Sequence, residues 1–510
     1  MATTPEELRS SPEFTELLEI LGTVADLQAA AGVLQWDLET YMPRAGAQDR
    51  AAQLSTLSRL SHETFVQPRV GELLKRLADR CEGLEYDSFE ASLVRVAKRK
   101  YDRAVKVPPR LVAELAESAS LATNVWARAK AENDFAAFAP YLGRNLRVVR
   151  QIVDCLGYEQ RPYDALLEEY EPGMKLSDIE PLFAELRSQL VPMVAAIAAR
   201  QGQVSNAVLH QPYDEAKQWE LTLEALRAIG YDFNRGRQDR SPHPFTIGFG
   251  PGDVRVTNRI DPNNFASALF SAIHEGGHAL YMQGIPESLK RTPLFEGASL
   301  GVHESQSRLW ENVVGRSRAF WQFFLPKARA LFPEQLAKAD VQTIYQAVNF
   351  SRPSEIRTEA DEVTYNLHIF LRLELENALL EDRLGVKDLP DAWNEKMESY
   401  LGLRPRDDAH GVLQDVHWSH ASIGYFPTYT LGNILSVQFY EQACRERPGI
   451  EEGISRGDFT PLLSWLREKI HVHGAKLKPK ELVQLVTGGP MRVDPYVAYL
   501  KRKYGELYGI

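Results

Sequence analysis

The residues best suited to chemistry lie in Ser271–Gly284, which reads SAIHEGGHALYMQG. At 3.6 residues per turn, His274 and His278 fall one above the other on one helix face, so both imidazoles can hold one cation. Glu275 lies slightly around that face, close enough to take a proton from a water at the ion. Two nitrogen ligands and a carboxylate base at this spacing are the parts of metal-assisted hydrolysis. Gly276 and Gly277 share the same turn, and each costs about 1 kcal/mol against alanine in a helix interior. Such a pair makes sense where another backbone or a substrate must come close.

A catalytic ion needs a third protein ligand and an open position. The next strong helical segment begins at His303-Glu304-Ser305-Gln306, and Glu304 is the candidate. Ile285–Gly301, with Pro286, Pro293, Gly297 and Gly301, is a loop long enough to bring the chain back. Glu287 and Glu296 fall in that loop and are poorly placed to ligate. Glu311, two turns below Glu304, is suited to orient it or to pair with Arg308.

Other elements must hold these groups in place. Asp261-Pro262 offers an N-cap and a first-turn proline for the metal helix, and Phe265, Ala268, Leu269, Ala272, Ile273 and Leu280 form its apolar stripe. Upstream, the helical period breaks between Asp239 and Ile260. His243–Gly248 and Asp253–Thr257, around Gly250-Pro251-Gly252, predict a hairpin whose edge could take a substrate backbone by strand addition. His243, between two prolines, could touch a peptide carbonyl. Further helices are predicted over Val341–Asn349 and Ile356–Leu380.

Binding a free α-carboxylate calls for a guanidinium, with Arg357 the first candidate and Arg255 the second. The plainer reading pairs Arg357 with Glu359 or Asp361, and Asp361 could instead accept a proton from a ligand imidazole. From Gln414 to Gly432, histidines and tyrosines cluster around glycines. His417 and Tyr425 there are candidate donors to a developing oxyanion. His471 and His473 are expected to face solvent or fill a helix end.

The remainder reads as helix. Thr4-Pro5-Glu6-Glu7 resembles a capping box, and Ser11-Pro12-Glu13 restarts a helix. Patterns through 45–80, 85–105, 109–158, 176–202 and 213–230 predict a stack of antiparallel helices with Trp36 and Trp126 in its core. Across 510 residues there is no linker, low-complexity run or repeat. A single domain is expected, with 1–235 a helical N-terminal part and 236–510 carrying the metal site. A hydrophobic content of 44% with 25% charged residues is that of a soluble globular protein, and a net charge of −10 argues against nucleic acid. No run approaches 18 apolar residues and the first residues lack an apolar signal core, so no membrane partner is expected. Cys81, Cys155 and Cys444 give neither metal spacing nor a disulfide framework, which suits a reducing cytoplasm.

HEGGH followed by HESQSRLWEN resembles the M32 family of metallocarboxypeptidases. Asp253-Val-Arg255-Val-Thr257, Ile356-Arg357-Thr-Glu-Ala360-Asp361 and Gly411-Val-Leu-Gln414-Asp415-Val-His417-Trp418 resemble that family too, as do Gln35-Trp36-Asp37 and Leu482–Gly488. The likeness covers nearly the whole chain. It implies a mainly α, multi-helix gluzincin-type fold around a deep cleft, with the N-terminal helices as one wall and a small β element before the metal helix. It implies zinc on His274, His278 and Glu304, replaceable by cobalt or manganese, with Glu275 as base. The expected activity is removal of single residues, with broad tolerance, from peptides with a free C-terminus, by a homodimer. Two rivals stand beside it: a zinc oligopeptidase cutting internally, and a helical binding protein with an unused site.

Overall fold

The computed structural model describes residues 4–510, nearly all of whose regular elements are helices. The Thr4 hydroxyl accepts from the Glu7 N–H while the Glu7 carboxylate accepts from the Thr4 N–H, the expected capping box. Ser11 then caps the long helix Pro12–Thr40. The pattern over 45–80 resolves into Ala47–Val66 and Pro68–Arg80, because Pro68 cannot continue the preceding helix. Likewise 109–158 is two helices, Pro109–Glu132 and Phe135–Leu156, separated by Asn133 in the left-handed region at φ 54°.

The chain packs as two compact units. One is built from Met1–Val105, Ala207–Val348 and Phe439–Pro490, the other from Lys106–Asn206, Asn349–Gln438 and Met491–Ile510. They cut across the 1–235 and 236–510 division drawn from the sequence. That division grouped neighbours along the chain, whereas packing joins segments hundreds of residues apart.

The first unit holds a three-stranded sheet, ordered β1 (Gln238–Arg240), β3 (Asp253–Asn258), β2 (Thr246–Gly250). β3 is central, antiparallel to β2 with Thr246 opposite Val256 and parallel to β1. Val254 and Val256 are fully buried between more open neighbours, so the strand alternates over its first four residues, while Thr257 and Asn258 are both buried. The expected hairpin is therefore present, but its first strand begins at Thr246. Pro244 has no N–H to give a ladder, and the Phe245 N–H goes to the Thr257 hydroxyl at 2.9 Å.

Helix Pro12–Thr40 lies against this sheet. A Cβ on Gly32 would stand 3.0 Å from the Phe249 ring, and Trp36 is buried with the Arg255 guanidinium 4.3 Å from its ring centre. By length and composition it is the one described helix apolar enough to cross a membrane, a test core helices also pass. Ion pairs Glu16–Arg69, Asp26–Arg291 and Asp37–Arg50 tie it to its neighbours.

In the second unit the expected helix over Ile356–Leu380 is broken. A 3-10 turn at Arg357–Glu359 precedes helix Tyr365–Leu380. Asp361 makes the break: its carboxylate accepts from the Ser351 hydroxyl and from the backbone N–H groups of Arg352, Val363 and Thr364. So occupied, Asp361 closes the turn before helix Tyr365–Leu380, and both its oxygens are engaged by donors other than an imidazole.

Candidate metal centre

The metal helix spans Phe265–Gly284 and is capped by Asn264, whose side chain accepts from the Ala266 N–H. Asp261-Pro262 make a turn just before it, Asp261 accepting from Asn263, so the helix starts later than the Asp-Pro signal predicts. Phe265, Ala268, Leu269, Ala272, Ile273 and Leu280 are all 1% exposed or less, which anchors the helix in the core. His274 and His278 stay partly open, their ring centres 5.0 Å apart.

Both glycines have a steric reason. A Cβ on Gly277 would stand 2.6 Å from Ser307 Cα and 2.7 Å from the Gln306 carbonyl oxygen, so the backbone of helix Leu300–Arg308 lies directly on it. At Gly276 a Cβ would meet Leu226 and Ile229 side chains of helix Glu215–Ile229 at 2.6 and 3.0 Å. The close crossing at Gly277 carries Glu304 to the histidines. Glu304 Oε2 is 3.3 Å from His278 Nε2 and 3.6 Å from His274 Nε2, and the three donors lie within 4.8 Å of one another.

These distances fit a cation. Two ligands bound at about 2.0–2.1 Å and a tetrahedral angle stand roughly 3.3 Å apart. The far side of each ring favours the same state. His274 Nδ1 donates to Glu311 Oε2 at 2.9 Å, which leaves Nε2 bare towards Glu304. His278 Nδ1 stands 2.6 Å from His303 Nδ1, so a neutral His278 donating there also turns a bare Nε2 inward. With each Nδ1 engaged on its far side, the two Nε2 atoms and Glu304 Oε2 converge on one point, an arrangement suited to a divalent ion.

Arginines set the charge. Burial works against ionisation of Glu304, but Arg308 and the two imidazoles outweigh it and hold the carboxyl well below its usual range. Arg308 Nε donates to Glu304 Oε1 at 2.7 Å, and Arg308 and Arg316 both reach Glu311. Burial likewise opposes ionisation of Glu311, and Arg308, His274 and Arg316 overcome it. Glu311 sits in a π turn, Leu309–Val314, which extends the helix carrying Glu304.

Glu275 is buried, and its Oε2 accepts from the Thr246 hydroxyl at 2.7 Å. The loop acids lie elsewhere, Glu287 on Lys290 and Glu296 on Lys100. His243 is exposed, its carbonyl holding the Ser241 hydroxyl. Both oxygens of Asp253 grip Arg255, whose guanidinium lies between Trp36 and Phe249; this arginine braces the sheet. His471, expected near solvent or at a helix end, is buried in the turn after helix Thr460–Lys469 and meets the Gln306 side chain at 3.0 Å.

Within the second unit Arg357 is 6% exposed and pairs with neither Glu359 nor Asp361. Its Nε and Nη2 both donate to Asp415 Oδ1, and Nη1 donates to the Tyr365 hydroxyl. Asp415 Oδ2 is taken by Arg372. One fork of Arg357 is thus used internally, and N–H groups remain along its Nη1–Nη2 edge. Burial, with Arg357 and Arg372 acting against Asp415, pushes the His417 imidazole down to about 4, so it is neutral at pH 7. Its ring lies against Phe426 and Tyr425, and Tyr425 packs on Tyr170 and Tyr429.

Thr246, His303, Asp415 and Arg372 are the groups a sequence reading misses. His303 adjoins Glu304 and Thr246 follows His243-Pro244-Phe245, so proximity to marked residues was the one available signal.

Two imidazoles on one helix and a carboxylate brought to them by a second, in a largely helical protein, define a metallopeptidase type of centre. Residues 16–504 match the model of the family described as Carboxypeptidase Taq (M32) metallopeptidase. Thermostable carboxypeptidase 1 of Thermus thermophilus is 43% identical over 505 residues, covering 97% of this chain and 99% of that protein. Carboxypeptidase 1 of Bacillus subtilis is 38% identical, with 97% and 98% covered. The crystal structure of the M32 carboxypeptidase from Deinococcus radiodurans R1 superposes with a TM-score of 0.95 at 41% identity, covering 98% of this chain and all of that one. The chain therefore belongs to the M32 family of metallocarboxypeptidases. The match favours neither the internally cutting oligopeptidase nor the binding protein.

Proposed function

We propose that the enzyme is a zinc-dependent carboxypeptidase that releases single residues, with broad side-chain tolerance, from peptides with a free C-terminus. His274, His278 and Glu304 would hold the ion, and cobalt or manganese could replace zinc. What supports this most is the convergence of the three ligand atoms, with Glu304 Oε2 at 3.3 and 3.6 Å from the two Nε2 atoms and each group held from behind by a hydrogen-bond partner. A divalent cation there supplies Lewis acidity, polarising the scissile carbonyl and lowering the pKa of water.

The chain's own groups do the rest. Glu275 takes the proton of the attacking water and passes it to the leaving amine. Glu311 and His303 keep the ligand imidazoles in the tautomer with Nε2 free, and Arg308 keeps Glu304 ionised. The outer edge of β2 offers backbone groups to an extended peptide. Neutral His417, or Tyr425 beside it, is suited to donate to an oxyanion. Arg357 is read as the anchor for the terminal carboxylate, its position fixed by Asp415.

The test is Glu275→Gln. It should keep metal and substrate affinity while losing orders of magnitude in kcat. A nonapeptide followed by mass spectrometry should shorten one residue at a time, and an internal first cut would contradict the exopeptidase reading. We also read the enzyme as a cytoplasmic homodimer. Three free cysteines suit that compartment, and sedimentation of the purified protein checks the dimer.

A further inference from the structure

We propose that Thr246 is the positioning residue of Glu275, holding the base by one carboxylate oxygen so that the other faces the water. This rests on the reading of Glu275 as the general base. The Thr246 hydroxyl stands 2.7 Å from Glu275 Oε2 and 2.8 Å from the Glu275 carbonyl oxygen. A hydroxyl has a single proton to give. The carbonyl lies inside helix Phe265–Gly284, where the backbone four residues on already serves it. The carboxylate is the better acceptor, and a hydrogen bond to an ionised group is the stronger one. Among the described residues, Oε1 of Glu275 accepts no hydrogen bond, so it is the oxygen left to take a proton.

The sequence holds the hydroxyl in place through several contacts. Thr246 faces Val256 of the central strand, and Val256 is fully buried. Its neighbour Phe245 is bound on both sides by Thr257, the N–H donating to the Thr257 hydroxyl and the carbonyl accepting from the Thr257 N–H. Two residues beyond, Gly248 lies over the metal helix, where a Cβ would stand 2.2 Å from Met282 Cε.

Freezing a glutamate in one conformation removes rotamer freedom that would otherwise be lost at each turnover. Because β2 is also the edge proposed to receive substrate, base and peptide are aligned by one strand.

The experiment uses metal-loaded enzyme and a free-acid peptide. Thr246→Val keeps the side-chain shape and removes the hydroxyl; it should lower kcat about ten- to a hundredfold. KM, metal stoichiometry and Tm should stay near wild type. Thr246→Ser should recover most of kcat, and Thr246→Val should cost nothing further in a Glu275→Gln background. The inference is overturned if Thr246→Val keeps kcat within about twofold while Glu275→Gln is inactive. It is also overturned if serine loses as much as valine, or if metal is lost in step with activity. An active Glu275→Gln would instead remove the base reading, and this inference with it.

Discussion

Replacing Gly277 with alanine tests whether the close crossing of two helices, beyond the identity of the ligands, makes the metal centre. The added methyl would stand 2.6 Å from Ser307 Cα and 2.7 Å from the Gln306 carbonyl oxygen, where ordinary contact is 3.4–4 Å. Both obstacles are backbone, so no rotamer change relieves them, and the helices must separate by roughly 1 Å. Glu304 rides on the displaced helix one turn away. Metal–ligand bonds tolerate about 0.2 Å, so a shift of that size stretches or breaks the third bond. We expect metal affinity to fall about tenfold to a hundredfold or more, and stability by about 1–3 kcal/mol from overpacking. Competition with a chelator of known affinity measures the first, and thermal unfolding without metal the second. Gly276→Ala is the control: its methyl meets only the ends of Leu226 and Ile229, which can move, so metal should bind as in wild type. If Gly277→Ala bound metal as tightly as wild type, the crossing would not be what places Glu304.

Three further outcomes are expected. Arg357→Ala should depress kcat/KM for free-acid peptides by a factor of tens to thousands, about 2–5 kcal/mol, and lose little more on amidated ones. Equal losses on acid and amide would make Arg357 a structural partner of Asp415 alone. Chelation should abolish turnover with little change in the far-ultraviolet circular dichroism, because a core this large does not depend on one ion. Collapse of the helical signal would contradict that. Glu376 is fully buried, and burial, against donors on Tyr163, Trp418 and Gly424, pushes its carboxyl up from 4.5 to about 7. The folded protein keeps a proton that the unfolded chain releases near 4.5, so stability present at lower pH is lost as pH rises through 7. Glu376→Gln should remove up to ~3 kcal/mol of that fall, read as Tm between pH 5 and 8, and an unchanged slope would refute it.

The parts legible in the sequence are those set by local spacing. His274 and His278 are one helical turn apart, and Glu304 lies across one loop, so period and chain length suffice to find them. The two glycines announced a close approach, which helix Leu300–Arg308 makes at Gly277 and helix Glu215–Ile229 at Gly276. Side-chain partners were not legible, because tertiary packing chooses them. Asp415 meets Arg357 across 58 residues and Thr246 meets Glu275 across 29, while nearer acids such as Glu359 were the obvious guess. Asp361 broke a helix that hydrophobic periodicity carried straight through, since a turn held by backbone N–H groups on a carboxylate leaves no mark on periodicity. β1 was missed because three residues pairing in parallel with a distant strand leave no pattern in their own sequence.

The interleaving of the two units bears on how the protein emerges from the ribosome. His274, His278, Glu304 and the orienting Glu311 are all translated by residue 311, yet the unit that buries them is complete only with Phe439–Pro490. At about 5–20 residues per second, the candidate ligands exist for roughly ten to forty seconds before the closing segment is made. Two histidines and two carboxylates are therefore presented to the cell's free metal while the shell that selects among ions is unfinished. An ion captured in that interval would be governed by abundance and by the Irving–Williams order more than by the finished geometry. Metal content after expression should accordingly follow the growth medium more closely than metal content after refilling the folded apoenzyme.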